Sequence, residues 1–170
     1  MLICERCAKF CNGCECVPYD VECDENFKEK VGTETTMKEM IYTPNTIKEV
    51  LYEGTYLDHK FVILNLGMHP TAYVECKVDN CQGYMDSRLD DVQVHCGFTY
   101  FGQPHWTDED KTVYLGWDYG HSGDFAGYYI EHPEFEILGE KKWTTEEIYH
   151  EVQIVIKDLI KVENLQIPNG

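Results

Sequence analysis

The sequence predicts an α+β fold: a mostly antiparallel sheet with a long C-terminal helix packed on one face, preceded by a small cysteine-rich N-terminal head that binds metal. Three observations carry this expectation. Short apolar or alternating runs follow one another between residues 60 and 117, as strands in close succession do. One long amphipathic stripe comes after them, near the C-terminal end. Six of the nine cysteines fall within residues 1–25. Strands followed by a single helix fit an antiparallel sheet covered on one side, and not alternating βα units.

Three regions are expected: a head at 1–25, a linker at 26–45 and an α+β body at 46–170. In the head, Cys4-x-x-Cys7 and Cys11-x-x-Cys14 are two C-x-x-C pairs, joined by Cys16 and Cys23. Two sulfurs on one tight turn can both reach a tetrahedral zinc ion. Such an ion would order a segment with few large apolar side chains, because metal binding supplies folding energy that a core cannot. The spacing leaves the ligand set open: Cys4 and Cys7 pair with Cys14 and Cys16, or with Cys23. A metal-free thiol-rich tail, disulfides or an iron–sulfur cluster are the other readings, though the spacing departs from the bacterial ferredoxin pattern. The linker is polar, with one short strand expected at Met40-Ile41-Tyr42.

In the body, Thr46–Gly54 reads as a short helix or an irregular strand, with Thr46 and Glu49 as a capping pair and Gly54 as a stop. Lys60–Leu66 is an apolar strand ended by Gly67. Ala72–Val78 and Asp91–Tyr100 alternate. The second places Val92, Val94, Cys96 and Phe98 on one side, with His95 and Thr99 in phase on the other. Thr112–Trp117 is a further strand. Thr144 and Glu147 form a capping box, and Ile148, Val152, Val155, Ile156, Leu159 and Val162 recur at helical spacing.

Composition bounds the function. Fourteen basic against 31 acidic residues leave a net charge of −17. That argues against direct non-specific nucleic-acid binding, which needs cations to neutralise phosphate. It suits solubility, or attraction to a basic partner protein. Met1-Leu2-Ile3 runs at once into Cys4 and Glu5, with no apolar leader segment, and no run approaches the length of a membrane span. A cytoplasmic protein without membrane association is expected, its cysteines being thiols or metal ligands.

The segment Trp117-Asp118-Tyr119-Gly120-His121-Ser122-Gly123-Asp124 carries the clearest chemistry. Its D-x-x-H-x-x-D spacing suits a divalent cation or a proton-transfer pair, at a strand end where loops carry sites. His69 in a turn and His95 on the preceding alternating run can join it. The candidate catalytic set is therefore His69, His95, Asp118, His121 and Asp124, with Thr99 and Tyr100 orienting substrate. A second divalent ion would take the three histidines and one aspartate as mixed ligands. Without metal, an Asp–His pair with Thr99 or Tyr100 suits acid–base work. Each residue also has a plain structural reading: His69 as a turn residue before Pro70, His95 as a bonded core residue, and both aspartates as turn formers beside glycine. His105 sits in an expected loop.

Gly67-x-His69-Pro70, Val94-His95-x-Gly97-x-Thr99-Tyr100 and Gly116-Trp117-Asp118-x-x-His121-x-Gly123-Asp124, followed by an acidic terminal helix, together resemble a family of small hypothetical proteins encoded by bacteriophages and prophages. The family carries Gly-His-Pro, His-Gly-Gly-Leu-Thr-Tyr and Gly-Phe-Asp-x-x-His-x-Gly-Asp elements in this order, and the likeness covers residues 47–162. Cys96, Phe98 and Trp117 depart from it. The head is not part of the pattern. The resemblance implies a phage setting and a site, not a reaction. The expected activity is metal-assisted hydrolysis of a nucleotide or other phosphate ester. The rival expectation is a non-enzymatic anti-defence or host-takeover protein that sequesters a nucleotide signal or binds a basic host protein, acting in the host cytoplasm.

Overall fold

The computed structural model describes residues 35–137 and 139–165. These belong to one compact unit, Val31–Gly170. The head, with Cys4, Cys7, Cys11, Cys14, Cys16 and Cys23, lies outside the described residues.

Five antiparallel strands form the sheet: β1 (Glu49–Tyr56), β2 (His59–Asn65), β3 (Pro70–Glu75), β4 (Tyr100–Gly102) and β5 (Tyr114–Asp118). Their spatial order is β1-β2-β3-β5-β4, so the last strand slots between β3 and the edge strand that precedes it. The fold is thus α+β, an antiparallel sheet with one long C-terminal helix. Thr46–Gly54, open between helix and strand in the sequence, resolves as strand from Glu49 onward. Gly54 does not stop it but pairs with Phe61, and the chain turns at Leu57 and Asp58. Both have positive φ, 45° and 67°, as a two-residue hairpin turn of matching twist requires.

The expected strand over 91–100 is a correction. Only Tyr100–Gly102 joins the sheet, and residues 90–99 are turn, bend or irregular chain. Cys96 and Gly97 stand at φ 53° and 91°, and the Gly97 amide donates to the Val94 carbonyl in a tight turn. Two successive left-handed residues cannot continue a pleat. The alternation reports burial only in part: Val92 is in the core and Val94 and Phe98 pack against it, but Cys96 is exposed and His95 is half-buried. The loop crosses the edge of the core and meets β5 only at its end, where the Thr99 amide donates to the Gly116 carbonyl (2.8 Å).

Helix α1 (Thr145–Asn164) begins at the expected capping box, with the Glu147 amide donating to Thr144 Oγ1 and the Thr144 amide to the Glu147 carboxylate. Ile148, Val152, Val155, Ile156 and Leu159 are fully buried against Leu51, Phe61, Ile63, Val74, Leu115 and Trp117 on one sheet face. Each such side chain contributes about 1.5–3 kcal/mol, against about 1 kcal/mol for a cap. Packing therefore holds the helix and the cap only sets where it starts. The opposite sheet face buries Val62, Leu64, Tyr73 and Tyr114 under Trp106. Gly116 permits that packing, since a Cβ there would lie 2.5 Å from the Tyr73 ring.

Residues 35–43 run along the body. The Lys38 amide donates to the Leu51 carbonyl, Thr43 to Gly67, and the Asn65 side chain to the Ile41 carbonyl. Residues 40–42, an expected short strand, form no ladder. Among the described residues no helix is long and apolar enough to cross a membrane.

Candidate active site

Strand β5 delivers Asp118 to its end, and the chain then folds on itself through Asp124. The Gly120 amide donates to Asp118 Oδ1 (3.1 Å), the Asp124 amide to the His121 carbonyl (3.0 Å) and the His121 amide to Asp124 Oδ2 (3.1 Å). Both aspartates thus form turns, as their place beside glycine suggests. Each also reaches a residue distant in sequence.

Asp124 is buried, 5 % exposed. His95 Nε2 lies 2.8 Å from its Oδ2, and Trp143 Nε1 donates to its Oδ1 at 2.8 Å. Burial by itself raises the Asp124 carboxyl. Hydrogen bonds from Trp143, His95 and the His121 amide outweigh it and hold the group below the usual carboxylate range. An ionised Asp124 accepts, so His95 Nε2 is the protonated nitrogen. In the neutral ring Nδ1 would carry the lone pair, and that atom has no hydrogen-bond partner among the described residues. The ring is gripped on two sides, stacked on Tyr119 (centroids 5.0 Å, 14°) and edge-on to Trp143 (5.0 Å). Its backbone amide donates to Glu151 Oε1 on α1 at 2.6 Å. Glu151 also accepts from the Tyr119 hydroxyl, which in turn accepts from Trp117 Nε1 at 2.9 Å. Burial first, and the Glu151 charge next, push the Tyr119 hydroxyl well above its ordinary value.

His121 and Asp118 form the second half of the corner. The His121 ring centroid is 5.8 Å from that of His95. Its Nε2 lies 3.4 Å from Asp118 Oδ1, close enough for an ion pair but without a hydrogen bond, although the atom is buried. Thr99 Oγ1 donates to Asp118 Oδ2 at 3.1 Å. His69 lies against the same turn: a Cβ on Gly120 would be 3.1 Å from His69 Cδ2 and 3.3 Å from Asp118 Oδ1. The structure therefore gathers His69, His95, Thr99, Asp118, His121 and Asp124 at one end of the sheet. Tyr100 is not among them. Its ring packs edge-on to Tyr73 with the opposite-face cluster, and its hydroxyl donates to the Gln103 carbonyl. His105 belongs to that face as well, 2.8 Å from the Tyr73 hydroxyl.

Cys96, next to His95, is exposed, with Sγ 3.7 Å from His95 Nε2. Partial desolvation and then the charges of Asp124, Asp118 and Glu151 raise its thiol. A thiol held protonated is a poor nucleophile. Among the described residues no three His, Cys, Asp or Glu side chains gather as a metal-binding group. Asp124 already accepts from three donors and orients His95. His121 Nε2 and Asp118 retain unused donor capacity.

Trp143, Tyr119 and Glu151 are parts of the site that sequence reasoning missed. Glu151 had a faint signal, an acid directly beside the apolar stripe at Val152. Trp143 had none, because its bond to Asp124 depends on where α1 starts. Protein-family models, curated proteins and solved structures contain no match to the chain.

Proposed function

We propose that this corner is a hydrolytic site in which His95, oriented by Asp124, acts as general base, and in which Asp118 and His121 bind a divalent cation. The observation that carries the reading is the tethering of His95. One ring nitrogen is tied to a buried, three-donor carboxylate, and the other is left with no partner among the described residues. That arrangement fixes the tautomer and the ring direction of a base, or of a histidine ligand.

His95 Nδ1 would take a proton from water, and Asp124 would stabilise the imidazolium that results. Thr99 holds one Asp118 oxygen, leaving the other beside His121 Nε2. The cation is favoured by charge. Asp118, Asp124 and Glu151 crowd the corner, and a phosphate ester would be repelled unless positive charge were added. A bound divalent ion supplies that charge and lowers the pKa of a water. On this reading the substrate is a nucleotide-sized phosphate ester. The likeness to phage-encoded proteins would make the host cytoplasm its setting, and zinc in the head would be structural.

The test is turnover of a panel of nucleotides and p-nitrophenyl phosphate esters by the full chain, with and without EDTA and added zinc, manganese or magnesium. Turnover restored by one ion and lost in His95→Ala is expected. Turnover that persists in both His95→Ala and Asp118→Asn sinks the assignment.

A further inference from the structure

The chain that leaves the site after Asp124 returns to it at Lys141. The Phe125 amide donates to the Lys141 carbonyl (2.9 Å) and the Lys141 amide to the Gly123 carbonyl (2.8 Å), so the intervening residues form a loop with a closed neck. This loop exposes large apolar side chains in series: Tyr128 is 42 % exposed, Ile130 51 %, Phe135 58 % and Ile137 66 %. Tyr128 stacks on His132 (4.4 Å, 26°) and lies 6.1 Å from Phe135, giving an aromatic platform at the surface. Contiguous apolar surface with a polar rim marks an interaction site more often than scattered single residues do.

The rim has one sign. Glu131, Glu134 and Glu136 are exposed, and no lysine or arginine occurs between Asp124 and Lys141. The two lysines that follow are turned elsewhere. Lys141 Nζ lies 3.5 Å over the Trp143 ring and 3.2 Å from Glu147, and Lys142 Nζ lies 4.0 Å over the Phe125 ring. His132 Nδ1 lies 3.4 Å from Glu134, and no lysine or arginine among the described residues is found paired with Glu131, Glu134 or Glu136. A second copy of this chain would bring like charges together around the patch, at a net charge of −17 per chain.

We propose that this loop is a docking surface for a basic protein segment, which seats an apolar anchor against Tyr128, Phe135 and Ile137 and places lysines or arginines on Glu131, Glu134 and Glu136. Central apolar anchors with a charged rim are how such interfaces divide affinity from steering.

The test is fluorescence anisotropy of the full chain with two labelled peptides of equal charge, one of lysine and leucine, the other of lysine and glycine. The lysine–leucine peptide is expected to bind about tenfold or more tightly than its partner. The double variant F135S/I137S should lose that margin. The triple variant E131Q/E134Q/E136Q should bind the lysine–leucine peptide about tenfold more weakly, with a flatter salt dependence. Equal binding of both peptides, or an apolar double variant that binds like the parent, overturns the proposal in favour of diffuse charge attraction. A chain that sediments as a dimer and becomes monomeric with F135S/I137S overturns it in favour of self-association.

Discussion

Two of the histidine–carboxylate pairs among the described residues, His59–Glu163 and His95–Asp124, differ in what is left over. His59, at the start of β2, is 3 % exposed. Its Nε2 faces Glu163 at the end of α1 (3.0 and 3.2 Å), and its Nδ1 faces the Leu57 carbonyl (3.1 Å). Both nitrogens are occupied, so the ring has nothing to offer a ligand. It ties the last turns of the helix to the β1–β2 hairpin. His95 is held as firmly, by Asp124, Tyr119 and Trp143, yet keeps one nitrogen with no partner among the described residues. Satisfaction of every polar atom marks a structural clamp. A rigid side chain with one unused polar atom marks a site.

Replacing the two histidines gives the sharpest test of that contrast. His59→Ala should cost about 3–5 kcal/mol, because it strands a largely buried carboxylate, read as a shift of the urea midpoint. Turnover by the folded fraction should be unaffected. His95→Ala should lower turnover per folded molecule about 10²–10⁴-fold, with a urea-midpoint shift of its own because it takes one donor from the buried Asp124. The contrast breaks if His95→Ala unfolds the chain, or if His59→Ala abolishes turnover while the fold survives.

Trp143→Phe removes the indole donor from Asp124 while keeping a ring beside His95. A lost hydrogen bond to a charged group predicts about 1.5–3 kcal/mol in calorimetric unfolding, along with slower turnover from a less well held base. A variant as stable as the parent would show that Asp124 finds another donor, and would weaken its assignment as the fixed end of the pair.

Acid titration probes the same carboxylate. Asp124 is depressed in the folded state, so its contribution is complete above the ordinary aspartate pKa of about 3.9 and is lost as pH falls through the lower folded value. The stability difference between parent and Asp124→Asn should therefore be constant at neutral pH and shrink below that point. Urea unfolding at a series of pH values reads it directly. A gap that does not change with pH would mean that Asp124 gains nothing from its ionisation.

The smallest effect is expected at Cys96. Its φ of 53° suits glycine better than cysteine, and the side chain is exposed. Cys96→Gly should change stability by only about 0.5–1 kcal/mol, in the stabilising direction if relief of strain exceeds the added backbone freedom. Turnover should persist, since a thiol raised by nearby carboxylates is not the expected nucleophile. Loss of turnover in Cys96→Gly and Cys96→Ser alike would reassign the chemistry to the thiol.

Much of the fold was legible because its signals are local. The capping box at Thr144 and the stripe from Ile148 to Leu159 needed only helical spacing, and Lys60–Leu66 and Thr112–Trp117 needed only apolar runs near turn residues. The alternation over Asp91–Tyr100 misled because Val92, Val94 and Phe98 reach the core from a loop, while the turn at Cys96 and Gly97 breaks the strand phase and leaves Cys96 exposed. The site was legible in part for the same reason. The turn from Asp118 to Asp124 is built from its own backbone bonds, so its aspartates and glycines announce it.

By itself, then, the sequence determined the α+β class, the start of the helix and the concentration of polar groups after β5. Each rests on interactions between residues a few positions apart. Only the tertiary structure decided that Asp124 holds His95 and Trp143, that Glu151 on α1 anchors the His95 backbone, and that Tyr100 turns to the other face. The first two sets of bonds join residues 19 to 56 positions apart, and the last follows from the register that sets Tyr100 opposite Gly116 in the sheet. Distances of that kind are set by how the helix packs on the sheet, and no local spacing encodes them.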